Sequence, residues 1–374
     1  MSNFTSIHVS GENWRDLCDQ VISRIGDGAN SHLAFIYLAD ELSAETDRII
    51  DYLRSHSGIA HWVGCVGMGL CSSGATALET YDQAAMAVLL TPFEEPDFRI
   101  IPPLDGNLND WLDASRIWRE QALASVGIVH GDPGSSELPS LLTQLSDALQ
   151  GGFLLGGIAS GGKLPVQIAD RAVSGGLSGV LFGSGVSIST GHSQGCSLIG
   201  EKHRITRGQR NIIETLDDRP ALDVFKEDIG EVLARDLQRV GGYIFAALPI
   251  SGSDTGDYLV RNLVGIDPEN ALLAIGDMIE VGMEIQFARR DAETAREDLA
   301  HMIEGMKKRL DKPPRGGLYI SCLGRGRNQF GDNSAEMKLV RELLGDVPVV
   351  GFYANGEISH NRLYGYTGVL TLFS

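Results

Sequence analysis

Along the chain, short runs of continuous apolar residues end in glycine-rich polar stretches and alternate with segments whose apolar residues recur at helical spacing. Runs of four to eight apolar residues bounded by turn signals read as buried strands, and apolar residues three and four apart read as one face of a helix. Residues 33–38 (LAFIYL), 59–66 (IAHWVGCV) and 84–90 (AAMAVLL) are strands by this rule, and 43–55 is a helix with Ile49, Ile50 and Leu53 on its apolar side. The order returns in 126–130 (VGIVH), a helix at 138–149 with Ser136 as N-cap, 153–158 (FLLGGI) and 179–188. It returns again in 318–322 (LYISC), a helix at 334–344, 347–352 and 366–373. A unit of strand, polar loop, helix, strand, glycine loop, strand thus occurs three times. The second strands align as Trp62-Val63-Gly64-Cys65, Leu155-Gly156-Gly157-Ile158 and Val350-Gly351-Phe352-Tyr353. The fold class expected is α/β, with repeated strand–helix–strand units forming buried sheets covered by helices. The loops after each first and second strand would then gather at one cleft.

Other segments are less regular. Residues 13–24 predict a helix with Trp14, Leu17, Val21 and Ile25 on one side, and 108–124 another, after a connection containing Pro92, Pro96, Pro102 and Pro103. Residues 196–206 and 211–215 read as extended, 221–239 as a helix with Pro220 at its first turn, and 242–248 as a strand. Residues 272–275 and 284–288 read as a hairpin, and 291–310 as a charged helix stopped by Pro313-Pro314.

Composition narrows the classes. The formal charge of −18 argues against nucleic acid and anionic membranes, which are held through basic patches. No apolar stretch reaches membrane-spanning length, and no cationic segment leads into an apolar one near Met1. Five widely spaced cysteines without a C-x-x-C pair fit neither a disulfide framework nor a zinc ribbon, so a reducing, cytoplasmic location is expected. The 46 glycines fall at strand ends, where backbone approaches closely. With 374 residues the chain has length for at least two domains.

Candidate chemistry sits in a few places. Gly191-His192-Ser193-Gln194-Gly195 matches G-x-S-x-G, yet residues 196–200 read as extended chain, whereas a nucleophile elbow needs a helix there. His301 or His360, with Asp223 or Asp254, would complete a hydrolase; the competing reading is a turn between strands. Gly324-Arg325-Gly326-Arg327-Asn328-Gln329-Phe330-Gly331 lies between a strand and a helix and is neither G-x-G-x-x-G nor a Walker A loop. Its arginines could clamp a carboxylate or phosphate, or simply be solvated. Cys65 and Cys322 near strand ends read first as small core residues. Glu357, beside Gly356 and near Tyr353, Asn355 and Asn361, could receive a ligand amino group. No histidine spacing suggests zinc, and His192, His203 and His360 are candidates for a haem ligand.

Gly195-Cys196-Ser197-Leu198-Ile199-Gly200, Ile205-Thr206 and Pro220-Ala221-Leu222 resemble the end of a FIST N domain ("F-box and intracellular signal transduction"). Residues 261–267 (RNLVGID), Glu280-Val281-Gly282-Met283, Ser321-Cys322-Leu323-Gly324-Arg325 and 351–358 (GFYANGEI) resemble a FIST C domain, with Gly326-Arg327 as a departure. The resemblance runs from about residue 30 to the end, as a FIST N-like domain at 30–220 and a FIST C-like domain at 221–374. It implies a sensory protein without catalysis that binds a small ligand, an amino acid among the candidates. It implies signalling through a separate histidine kinase, cyclase or chemoreceptor, and no resident cofactor. The alternatives are a haem-binding nitric oxide sensor and a serine hydrolase using Ser193. The expected ligand site comprises Cys322, Arg325, Gly351, Tyr353, Asn355, Glu357 and Asn361, with Ser160 and Gly161 from the N-terminal half.

Overall fold

A computed structural model describes residues 4–26, 31–106, 108–149, 151–162, 164–250 and 258–374; Asp254 lies outside them. The chain forms two compact units, Met1–Gln194 with Arg296–Ser374, and Gly195–Ala295. Among the described residues no helix is long and apolar enough to cross a membrane.

The first unit is built from one motif used three times. The first copy runs β1 (Thr5–Ser10), α1 (Trp14–Ile25), β2 (Leu33–Ala39), α2 (Thr46–Ser57), β3 (His61–Gly67), β4 (Gly69–Ser73), β5 (Leu78–Tyr81) and β6 (Ala85–Leu90). The second runs β7 (Phe98–Leu104), α3 (Asn109–Ala122), β8 (Val126–Gly131), α4 (Leu138–Asp147), β9 (Phe153–Ile158), β10 (Gln167–Ala169), β11 (Ala172–Val173) and β12 (Leu177–Phe182). The third opens with β13 (Ile188–Gln194). Here the chain departs through β14 (Cys196–Gln209), β15 (Ile212–Leu216), β16 (Arg219–Pro220), α5 (Ala221–Ala234), β17 (Ile244–Pro249), β18 (Tyr258–Asp267), β19 (Leu272–Ile275) and β20 (Glu284–Arg290). The third copy then resumes with α6 (Ala292–Arg309), β21 (Gly316–Cys322), α7 (Ala335–Leu344), β22 (Val349–Ala354), β23 (Glu357–His360), β24 (Arg362–Tyr364) and β25 (Thr367–Phe373). The second compact unit is therefore an insertion after the first strand of the third copy.

Each copy makes a six-stranded sheet of the same order: β1-β6-β2-β3, β7-β12-β8-β9 and β13-β25-β21-β22, each completed by a hairpin from another copy. Hairpin β4–β5 of the first copy joins β22, β10–β11 of the second joins β3, and β23–β24 of the third joins β9. The exchange is cyclic, so no copy completes its own sheet. The predicted threefold repeat is present, with two features beyond it: the leading strands β1, β7 and β13, and the exchanged hairpins. Apolar run length predicts no strand over Thr5–Ser10 or Phe98–Leu104, yet both are strands. β7 carries Pro102 and Pro103, which an edge strand tolerates because one side of its backbone needs no ladder bonds.

Strand alternation sorts residues into layers. On β2, Phe35 and Tyr37 point to a shared core with Ile128, Leu155, Phe182, Ile320, Phe352 and Phe373, while Ala34, Ile36 and Leu38 pack under α1 and α2. The inner faces of all three sheets thus meet in one core, and helices cover the outer faces.

The second strand of each copy carries a glycine whose missing Cβ admits a neighbouring carbonyl. A Cβ on Gly64 would lie 1.7 Å from the Ile36 oxygen, on Gly156 1.8 Å from that of Val129, and on Gly351 1.6 Å from that of Tyr319. The ladders pair the same residues, Ile36 with Gly64, Val129 with Gly156 and Tyr319 with Gly351. This corrects the sequence alignment of the first copy by one position: Gly64, not Val63, matches Gly156 and Gly351.

In the second unit, β14, β20, β17, β18, β19 and β15 pair in that order, and β15 pairs back to β14, closing an antiparallel barrel. Phe225 and Leu222 of α5 pack with Phe287, Ile244, Ile213 and Leu273 in its core. β19 and β20 are strands as expected, but they pair with β15 and β18 and with β14 and β17, not as a hairpin. Apolar pattern located both strands; barrel closure, which the pattern does not encode, chose the partners.

Gly64→Ala and Gly351→Ala should each destabilise at the upper end of about 1–3 kcal/mol, since the obstructing atom is backbone and cannot swing away. Gly185→Ala, where nothing lies within 4 Å of the added Cβ, should stay within about 0.5 kcal/mol. Urea unfolding of the three variants checks this; equal effects would refute the assignment.

Candidate functional site

The third copy differs from the others beneath its covering helices. Where the first two copies place Ile36 and Val129, the third has Tyr319; two residues on, Leu38 and Gly131 correspond to Ser321. Tyr319 and Ser321 are buried and turn their hydroxyls to Glu336 in the first turn of α7, at 2.7 and 3.0 Å. The loop after β21 then brings Arg325 into the same layer, 1% exposed. Its Nε donates to Glu336 Oε1 at 2.9 Å, and its Nη2 donates to Ser193 Oγ at 3.0 Å and to the Tyr319 hydroxyl at 3.3 Å. The guanidinium carbon lies 5.0 Å from the centre of the Phe330 ring. The Gly326 N–H closes the network on Glu336 Oε2 at 2.9 Å. Burial opposes the charge of Arg325, but Tyr319 and Glu336 outweigh it and hold the guanidinium firmly protonated. Among the described residues, Arg325 Nη1 has no hydrogen-bond partner.

Glu357 is fully buried at the start of β23, opposite Gly157 of β9. Its Oε2 accepts from the Thr367 N–H at 3.1 Å and the Thr367 hydroxyl at 2.8 Å, while Oε1 has no partner among the described residues. Burial pushes its pKa from 4.5 to about 8, against the opposing pull of Thr367 and then Arg325. The Cys322 thiol, a weaker donor, also favours the ionised carboxylate. Burial and then Glu357 push that thiol well up, so Cys322 is no activated nucleophile. The hairpin exchange provides an internal comparison: the residues one step past the recurring glycine pair with Gln167 in the first sheet and Leu70 in the third. Gln167 is buried and bonded at both ends of its amide, giving Nε2 to the Gly175 carbonyl at 3.1 Å and receiving Ser178 Oγ at 2.7 Å. Of the three hairpins, that of the third copy puts a carboxyl at this position, and there one oxygen is left over.

The residues expected at the site divide into groups. Cys322, Arg325 and Glu357 come together; Arg325 acts on Glu357 through its charge and Cys322 through its thiol. The direct partner of Arg325 is Glu336, not Glu357. Tyr353 is buried beside this cluster, its ring 5.1 Å from that of Tyr81, and burial, then Glu336 and Glu79, push its hydroxyl pKa well up. Gly351 serves the close strand contact with Tyr319. Ser160 ties the three copies together, donating Oγ to the Tyr353 carbonyl at 2.5 Å and accepting the Met68 N–H at 3.0 Å. Gly161 abuts Val66 and Asp40. Asn355 and Asn361 are exposed, in the turn before β23 and at the tip of β23–β24.

Three other expectations are corrected or narrowed. Ser193 is a fully buried strand residue, paired opposite Gly368, and the chain after it stays extended, so the elbow required for a serine hydrolase is missing. The loop arginines do not form an open phosphate cradle: Arg325 is bound to Glu336, and Arg327 reaches Asp82 at 2.5 Å across the Tyr81 ring. Both ring nitrogens of His203 are engaged, by Asp217 at 2.7 Å and Asp228 at 2.9 Å. His192 lies against Tyr364, and His360 stacks on Phe153 and contacts Ser359. Among the described residues no group of three or more His, Cys, Asp or Glu gathers as for a metal.

Sequence reasoning missed Glu336, Glu79 and Thr367. Glu79 arrives on the exchanged hairpin and accepts the Met337 N–H at 3.0 Å in the first turn of α7, where the helix dipole favours an anion. Glu336 carried a signal, an acidic residue in a first turn, but that pattern is ordinary on exposed helices.

A carboxyl protonated to about pH 8 when folded but ionising near 4.3 when unfolded gives the folded state the extra proton between those values. Stability therefore falls as pH rises through that window, by at most about 1.4 kcal/mol per pH unit. Glu357→Gln removes this loss, so its stability relative to the unsubstituted protein should grow steadily from about pH 5 to pH 8. Urea unfolding across that range tests it, and a difference independent of pH would contradict the buried protonated carboxyl.

Residues 32–219 match the FIST N domain and residues 221–360 the FIST C domain. The Uncharacterized protein Rv0628c of Mycobacterium tuberculosis (strain ATCC 25618 / H37Rv) is 33% identical over 351 residues, covering 88% of each chain. The Uncharacterized protein Mb0898c of Mycobacterium bovis is 32% identical over 257 residues, covering 65% of this chain and 66% of its own. The boundary between the matched domains, at about residue 220, falls inside the inserted barrel. The chain belongs to the FIST family, with a FIST N domain followed by a FIST C domain.

Proposed function

We propose that this protein is a sensory protein of signal transduction that binds a small ligand at Arg325 and Glu357 and acts through a separate partner. FIST domains are associated with sensing and small-ligand binding, which supports the class. The observation that carries the site is that two of the buried side-chain atoms without partners among the described residues, Arg325 Nη1 and Glu357 Oε1, lie at the carboxyl end of β21 and the start of β23. Leaving such atoms unpaired costs about 1–3 kcal/mol each, and a ligand that pairs both recovers that free energy. The ligand needs an acceptor for the guanidinium and a donor for the carboxyl. An amino acid has both, a carboxylate for Arg325 and an amino group for Glu357. The partner is a histidine kinase, cyclase or chemoreceptor by family association, and the site, with Cys322 and Tyr353 at its edge, is the sensing element.

A thermal-shift screen of amino acids and related metabolites tests this. A ligand at 100 times its Kd stabilises by about 2.7 kcal/mol. The expected result is a shift with the unsubstituted protein that is markedly reduced in Glu357→Gln and keeps its size in Asn361→Ala, an exposed position. A shift unaffected by Glu357→Gln would move the site elsewhere.

A further inference from the structure

We infer that Glu357 exchanges its carboxyl proton for the cationic amino group of a bound ligand, and so selects ammonium-bearing ligands and releases a proton on binding. This rests on the ligand site proposed at Arg325 and Glu357.

The geometry supplies the first reason. The Thr367 N–H and hydroxyl both go to Glu357 Oε2, and the Cys322 thiol is a weaker third donor to the carboxyl. Oε1 accepts no hydrogen bond among the described residues. An ionised oxygen in that position would be buried without a hydrogen bond, so the empty site favours the proton. The pKa of about 8 agrees.

Charge balance supplies the second. The groups that face Glu357 are few. From the loop after β21 comes Arg325, whose charge is already matched by Glu336. From β21 comes the Cys322 thiol, kept neutral by burial. β25 contributes uncharged Thr367, β9 contributes Gly157, and across its own hairpin Glu357 pairs with Tyr364. None supplies a spare cation. A ligand ammonium does: the Glu357 O–H bond breaks, its proton goes to solvent, and the carboxylate accepts from the ammonium. A ligand with a carboxylate but no amine instead needs the protonated form as a donor, and loses it as pH rises.

The third reason is internal. At the corresponding position of another hairpin a neutral amide, Gln167, satisfies all structural demands. A group that can gain and lose charge is therefore not required by the fold.

The test uses the full chain and, as probes, the coded amino acids with their α-hydroxy acid analogues at matched concentration. Thermal shifts are read near pH 6, 7 and 8, and hits are titrated calorimetrically in buffers of different ionisation heat. Amino acid affinity should rise up to about tenfold per pH unit below about pH 8, with release approaching one proton. The hydroxy acids should bind more weakly as pH rises. Glu357→Gln, a variant of the same shape, should bind with no pH slope and lose its preference for the amine. Binding without proton release, or an unchanged preference in Glu357→Gln, overturns the exchange while leaving the ligand site standing. No shift with either probe class at any pH removes the site itself, and the exchange with it.

Discussion

Close approach of two parallel strands, with a carbonyl of one occupying the space of a side chain on the other, is the constraint from which this architecture follows. Gly64, Gly156 and Gly351 permit it once in each copy. The second strand is thereby fixed against the first, and its far edge is left open. An open edge is a liability that proteins cover or pair. Here each edge is paired by a hairpin from another copy, so the copies close into a ring in which none is complete alone. Ser160, bonded to the first and third copies at once, sits where the three chains of strands converge.

Near-threefold repetition makes the molecule its own control. Two copies cover the outer sheet face with apolar packing around Ile36, Leu38 and Val129. The third replaces this with Tyr319, Ser321, Glu336 and Arg325. Buried ion pairs seldom add stability over apolar residues of equal volume, because the desolvation of both charges offsets their attraction. Two copies show that the fold does not need such a network here. The network holds a guanidinium whose Nη1 amino group has no partner among the described residues, and near it a carboxyl one of whose oxygens has none, both shielded from water. Low effective dielectric then makes each spare atom a demanding partner, since neither can turn to solvent for compensation.

The charge count gives the site its chemistry. Glu336 already neutralises Arg325, which leaves Glu357 in surroundings that resist a second negative charge. A carboxyl that stays neutral for want of a cation is responsive to the arrival of one. That property suits a family associated with sensing.

How much of this was legible without the structure differs from element to element. Apolar run length and helical spacing found the helices and the longer fully buried strands, because a strand buried on both faces has no other pattern to show, but missed β1, β7, β13 and β18, whose partly exposed positions break the apolar run. The threefold repeat could be read from glycine and polar residues at strand ends, and the same residues marked Arg325, Cys322 and Glu357 as candidates that the fold brings together. Pairing could not. The exchange of hairpins, the closure of the barrel and the one-position shift at Gly64 depend on which edges meet, and local sequence carries no address for a partner a hundred residues away. For the same reason Glu336 went unseen. An acidic residue in a first helical turn looks solvated until the packing of α7 over Tyr319 and Ser321 takes it out of water. The sequence by itself determined the repeating unit and the residues able to do chemistry. Tertiary structure alone decided which of their atoms are satisfied and which are left waiting, because that depends on burial and on partners that only the closed ring brings together.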